Sequence, residues 1–112
     1  MTPAPLQFTD LPGSERARRF DGRDHGAAAS FFLNTHAPGE GPDLHRHPYE
    51  ETFIVLEGSP TFSVDGETVE GAPGQIVVVP PEAAHGFKNT GEQRLKMVSI
   101  HSSDHVIQEF LE

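Results

Sequence analysis

The chain has 112 residues, a formal net charge of −9 from 17 acidic and 8 basic residues, and no cysteine. That length holds one domain with a single core; the acidity, with no Lys/Arg cluster, argues against nucleic acid and anionic membrane as partners; and the missing thiols exclude disulfides and thiolate metal sites. Ten prolines and eleven glycines punctuate short segments, the composition of an all-β barrel or sandwich.

Met1 to Asp10 has neither a basic start nor an apolar run, which argues against a signal peptide, and no apolar stretch is long enough to span a bilayer. A soluble cytoplasmic protein is expected. Residues 1–26, with a charged run from Ser14 to Arg19 and turn formers from Asp21 to Gly26, read as an N-terminal arm or edge strand. Arg16, Arg18 and Arg19 read as a solvated face rather than an anion site. The barrel is expected over residues 27–103, opening with a strand from Ala27 to His36.

The loop Ala37 to Pro42 leads into three potential metal ligands: His45, His47 and Glu51. Two residues apart on an extended chain, His45 and His47 project from one side. A strand continuing to Glu51 would carry it roughly 13 Å from His47, whereas metal ligands converge at about 2 Å. The chain must therefore turn back, and Pro48, which holds His47 extended, starts that turn over Pro48-Tyr49-Glu50. From Glu51 to Leu56 the residues alternate, with Glu51, Phe53 and Val55 inward and Thr52, Ile54 and Leu56 on an apolar outer face that needs a cover.

Thr61 to Val64 and Glu67 to Val69 form a hairpin about Asp65-Gly66. Gln75 to Val79 is a β-branched strand stopped by Pro80-Pro81. His85 to Asn89 and Leu95 to His101 complete the barrel. Alternation sends His85, Phe87 and Asn89 inward with Leu95, Met97, Ser99 and His101, and turns Arg46 and Lys88 out. The period changes in residues 104–112, where Val106, Ile107, Phe110 and Leu111 fit one face of a short C-terminal helix capped by Asp104.

Gly39, His45, His47, Glu51 and Gly58 reproduce, at matching intervals, the first motif of the cupins; Gly74, Pro80, His85 and Asn89 reproduce the second, with Glu82 in place of its second glycine. The chain thus resembles the cupin superfamily, in particular small single-domain bacterial cupins with a conserved barrel. The resemblance implies a double-stranded β-helix, a jelly-roll-like barrel, and one divalent metal held by His45, His47, Glu51 and His85. Three imidazoles and one carboxylate suit Fe, Mn, Co, Ni, Cu or Zn. They leave a divalent site with charge near +1 and open positions for an anionic or enolisable oxygen ligand. The replacement at Glu82 puts the local turn in question, since glycine tolerates positive φ more cheaply.

The pocket expected from Phe53, Val55, Phe87 and Met97 is apolar and nearly free of cations, which disfavours sugar phosphates and suits an aromatic or diketone-like substrate. By resemblance, the expected activity is dioxygenase-like oxidation of a small, oxygen-chelating organic substrate, with Glu51 a candidate base and His101 a candidate base or substrate contact. A non-redox isomerase or decarboxylase is the alternative enzyme, and a non-catalytic metal-dependent ligand binder the alternative outside catalysis. Tyr49 reads as a rim residue, while His25, His36 and His105 receive no role. The outer face Thr52, Ile54 and Leu56, with Val98 and Ile100, predicts a homodimer.

Overall fold

A computed structural model describes residues 4–112; the first three residues of the expected N-terminal arm lie outside it. Two five-stranded antiparallel sheets face each other. The first contains β1 (Ala17–Phe20), β2 (Ser30–His36), β4 (Glu51–Glu57), β7 (Ile76–Val79) and β9 (Leu95–His101), ordered β1-β2-β9-β4-β7. The second contains β3 (His45–Arg46), β5 (Pro60–Val64), β6 (Glu67–Glu70), β8 (His85–Asn89) and β10 (Glu109–Phe110), ordered β10-β3-β8-β5-β6. This is the expected all-β barrel of two packed sheets.

Period-two alternation sets the core. Along β9, Leu95, Met97, Ser99 and His101 are buried while the residues between them reach the surface. Phe53, Phe62 and Phe87, from three strands, pack in edge-to-face and tilted arrangements with centroids 4.9, 5.7 and 6.0 Å apart. Their burial contributes about 1.5–3 kcal/mol each. Val55 and Met97 belong to this packed core and do not line the cavity described below, a correction to the expected pocket: alternation gives direction but not depth.

The chain bends at Pro48 and Tyr49, as the ligand spacing requires, but the bend carries it from one sheet to the other, so β3 and β4 are not paired neighbours. The C-terminal helix is corrected. Residues 104–112 contain no helix; Glu109 and Phe110 pair with Arg46 and His45 as β10. A nine-residue helix is poorly supported by its own hydrogen bonds, and the exposed edge of β3 offered backbone partners instead, extended by Leu111 N–H to Leu44 O at 2.9 Å.

Glu82 adopts φ 67°, the left-handed region occupied also by the motif glycines Gly39, Gly58 and Gly74. The turn keeps its geometry because Glu82 N–H donates to His47 O at 2.8 Å, tying the second motif to the first. A side chain there costs about 1–2 kcal/mol, partly offset by the 0.5–1 kcal/mol entropy penalty of glycine. Its 3.9 Å approach to Arg46 is exposed and adds little. Glu82→Gly is therefore expected to stabilise the protein by about 0.5–1 kcal/mol, measured as a higher melting temperature.

Candidate metal centre

The opposed sheets supply the site from both sides. β3 and β8 pair His45 with His85, while β4 and β9 pair Glu51 with His101; His47 follows β3 at the bend. The candidate ligand atoms of His45, His47, Glu51 and His85 lie within 4.8 Å of one another, and all four residues are buried. The residues singled out in the sequence thus converge in space.

Each of the three histidines is oriented through Nδ1 by a main-chain carbonyl: His45 to Asp43 at 2.7 Å, His47 to Ile107 at 2.8 Å and His85 to Ala83 at 2.9 Å. A carbonyl only accepts, so these bonds assign the proton to Nδ1 and leave Nε2 as the lone-pair nitrogen. His85 Nε2 and His47 Nε2 then stand 2.8 and 3.0 Å from Glu51 Oε1. Lone pair against carboxylate is repulsive unless positive charge lies between them. The donor set and its tautomers therefore fit a divalent transition metal.

The electrostatics of the residues themselves call for positive charge at the same place. Burial opposes ionisation of Glu51, but His101, His47 and His85 outweigh it and hold the carboxyl well below the usual range. Burial also opposes charge on His85, yet the contact with Glu51 raises its pKa. His45 is lowered, chiefly by burial.

His101 Nε2 stands 3.1 Å from Glu51 Oε2, the oxygen facing away from His47 and His85, though outside hydrogen-bond alignment. The Tyr49 hydroxyl accepts from Ile107 N–H at 3.1 Å and lies 2.6 Å from His101 Nδ1. Donation by that hydroxyl to Nδ1 leaves the His101 proton on Nε2, facing the carboxylate. Tyr49 is thus tied into the site and not confined to the rim. Its partner lies 52 residues away, and nothing local in the sequence signals the pairing.

The site opens into a cavity of about 400 Å³ whose lining includes His45, Glu51 and His101 at the ligand end and the rings of Phe32, Phe53 and Phe87. Asn34 Nδ2 donates to Ser99 Oγ at 3.1 Å on one wall. Arg16, also lining it, is paired with Glu40 at 2.7 Å. Asn89 does not face the ligands; its amide donates to His36 O and Gln93 O at 3.0 and 2.8 Å and fixes the turn after β8. His25 stacks on Phe20 and His105 contacts Asp104 at 2.7 Å, away from the cavity. His36 lines it, on the face of β2 that alternation shares with Phe32 and Asn34, the signal that could have found it.

Residues 32–101 match the cupin domain family. Polyketide synthase CurC of Streptomyces cyaneus is 37% identical over 75 residues, covering 65% of this chain and 49% of that protein. The 5-nitrosalicylic acid 1,2-dioxygenase of a Bradyrhizobium species is 31% identical over 64 residues, covering 57% and 31%. Oxalate decarboxylase from Bacillus subtilis, solved at pH 4.6, superposes with a TM-score of 0.77 at 26% identity, covering 88% of this chain and 28% of that one. The chain spans about half or less of the length of each. Among the described residues no helix is long and apolar enough to cross a membrane. With both motifs converging on one buried His/Glu group and the family matched over most of the barrel, the chain belongs to the cupin domain family.

Proposed function

We propose that this cupin is a mononuclear metalloenzyme that oxidises a small aromatic, oxygen-chelating substrate with O₂. The observation that carries this reading is the polarised group of lone-pair nitrogens around Glu51, opening into a phenylalanine-lined cavity with no unpaired cation identified among its described lining residues. The Bradyrhizobium relative, named for a dioxygenase of a hydroxylated aromatic acid, supports it. A bound Fe, Mn, Co, Ni or Cu ion would supply Lewis acidity and a redox couple there.

In this reading His45, His47, Glu51 and His85 hold the ion, and the carbonyls of Asp43, Ile107 and Ala83 keep the imidazoles aimed. Phe32, Phe53 and Phe87 orient a flat ring and exclude water. Glu51 stays ionised, so its Oε2 can take a proton from the substrate, while His101, its Nδ1 engaged by Tyr49, turns the Nε2 proton toward that oxygen. Oxygen uptake on addition of a catechol or salicylate, lost on chelation and restored by one equivalent of metal, is the expected result. The same array could serve a decarboxylase or isomerase, and turnover unaffected by strict anaerobiosis or by replacing the native metal with Zn would establish that reading instead.

The outer face of the first sheet supports a homodimer. Ile76 and Val78 on its edge strand β7 are 64% and 58% exposed, beside Leu56 and the half-buried Thr52, Ile54, Val98 and Ile100. A self-complementary contact would cover this strip. A dimeric mass by light scattering at micromolar concentration is expected, and a monomeric one overturns it.

A further inference from the structure

His36 ends β2 within the cavity wall, 6% exposed, with neither Nδ1 nor Nε2 engaged by any partner. Among the described residues, the other buried side-chain polar atom without a hydrogen bond is His101 Nε2, which faces Glu51. His36 faces no carboxylate at such range. Its ring lies edge-on to Phe87 at 5.3 Å, and its carbonyl is clamped by Asn89. The residue is held in place by packing and backbone while its polar edge stays uncompensated, an arrangement that costs stability unless something binds there.

We propose that His36 is the distal recognition residue of the cavity, and that it selects a flat bicyclic hydroxyarene with its chelating oxygens at the metal end and an uncharged hydroxyl at the His36 end. This rests on the reading of the His/Glu group as a metal centre for an oxygen-chelating ligand. Burial lowers the His36 pKa, favouring the neutral ring, which has one donor and one acceptor. A phenolic hydroxyl, which donates and accepts, matches both. A carboxylate would find no positive charge on a neutral imidazole, and Arg16 is already paired with Glu40. His36 pairs with Leu95 at the opposite end of β9 from His101, and a cavity of about 400 Å³ has room for two fused rings between the two ends. The walls of Phe32, Phe53 and Phe87 suit the flat body between the two polar ends.

The test compares two probes that differ by one hydroxyl, 2,3-dihydroxynaphthalene and 2,3,6-trihydroxynaphthalene, titrated calorimetrically under anaerobic conditions into the metal-loaded full chain. The wild-type protein is expected to bind the triol about tenfold more tightly than the diol. His36→Phe, which keeps an aromatic ring against Phe87, collapses the ratio to about one, and His36→Gln, which retains a donor and an acceptor, restores part of it. A melting temperature for His36→Phe equal to or above wild type shows that the fold is intact. A wild-type ratio near one, or a ratio unchanged in His36→Phe, overturns the proposal and leaves an ordered water only at His36. Diol binding that survives metal removal overturns the chelation reading separately, and metal-loaded protein that binds neither compound overturns both.

Discussion

Glu51→Gln is expected to lower metal affinity by at least about a hundredfold, the upper end of what losing a residue outside the ligand shell costs. Glu51 is the hub of the site: one oxygen faces His47 and His85 Nε2 at 3.0 and 2.8 Å, the other His101 Nε2 at 3.1 Å. Glutamine removes the negative charge that balances a divalent ion. Its amide N–H groups can also donate to the same lone-pair nitrogens, which favours the metal-free state. Two measurements separate these effects. Wild-type protein should melt at higher temperature with metal than without it, by linkage to binding, while the variant should show almost no metal-dependent shift. Metal analysis after purification should find stoichiometric ion in the wild type and a small fraction of that in the variant. A Glu51→Gln protein that keeps its metal would remove this residue from the ligand set.

The centre was legible because its geometry is local and repetitive. Alternation in β8 and β9 has fixed ends, and both strands run over the residues expected, His85–Asn89 and Leu95–His101. The spacing from His47 to Glu51 demanded a bend, and the bend is there. What the sequence hid is non-local. Val106, Ile107, Phe110 and Leu111 fit a helical face, and nothing in a nine-residue tail says that the edge of β3 lies waiting for it. Tyr49 sits in the bend, where alternation does not apply, so its hydroxyl could be placed only by knowing where His101 and Ile107 are. His36 has no partner histidine or motif near it in sequence, and only its parity with Phe32 and Asn34 marks it as a residue of the inner face. Glu82 shows the reverse: a departure from the motif that left the backbone unchanged, because the bond to His47 O holds the left-handed turn.

Removal of Val106 to Glu112 is expected to lower metal affinity by about 10–100-fold, although the segment contributes none of the four candidate ligands. The tail crosses the site as a strap. Ile107 O accepts the Nδ1 proton of His47, Ile107 N–H donates to Tyr49, and the ring of Phe110 covers His45 at 5.2 Å. Without the carbonyl, His47 loses the bond that aims Nε2 inward and gains freedom it must surrender on binding. Without the N–H, Tyr49 loses its hold and the partner of His101 shifts. The exposed Arg46–Glu109 pair at 3.2 Å is also lost, at little cost. Main chain, not side chain, carries the effect. Ile107→Ala should therefore bind metal within about twofold of wild type, since the residue is 41% exposed and surface truncations away from such contacts cost little. Ile107→Pro, which keeps the carbonyl and removes the N–H, should fall between the two. Full-length affinity in the truncated protein would mean that His47 needs no external orientation, and the strap would then be a cover for the cavity alone.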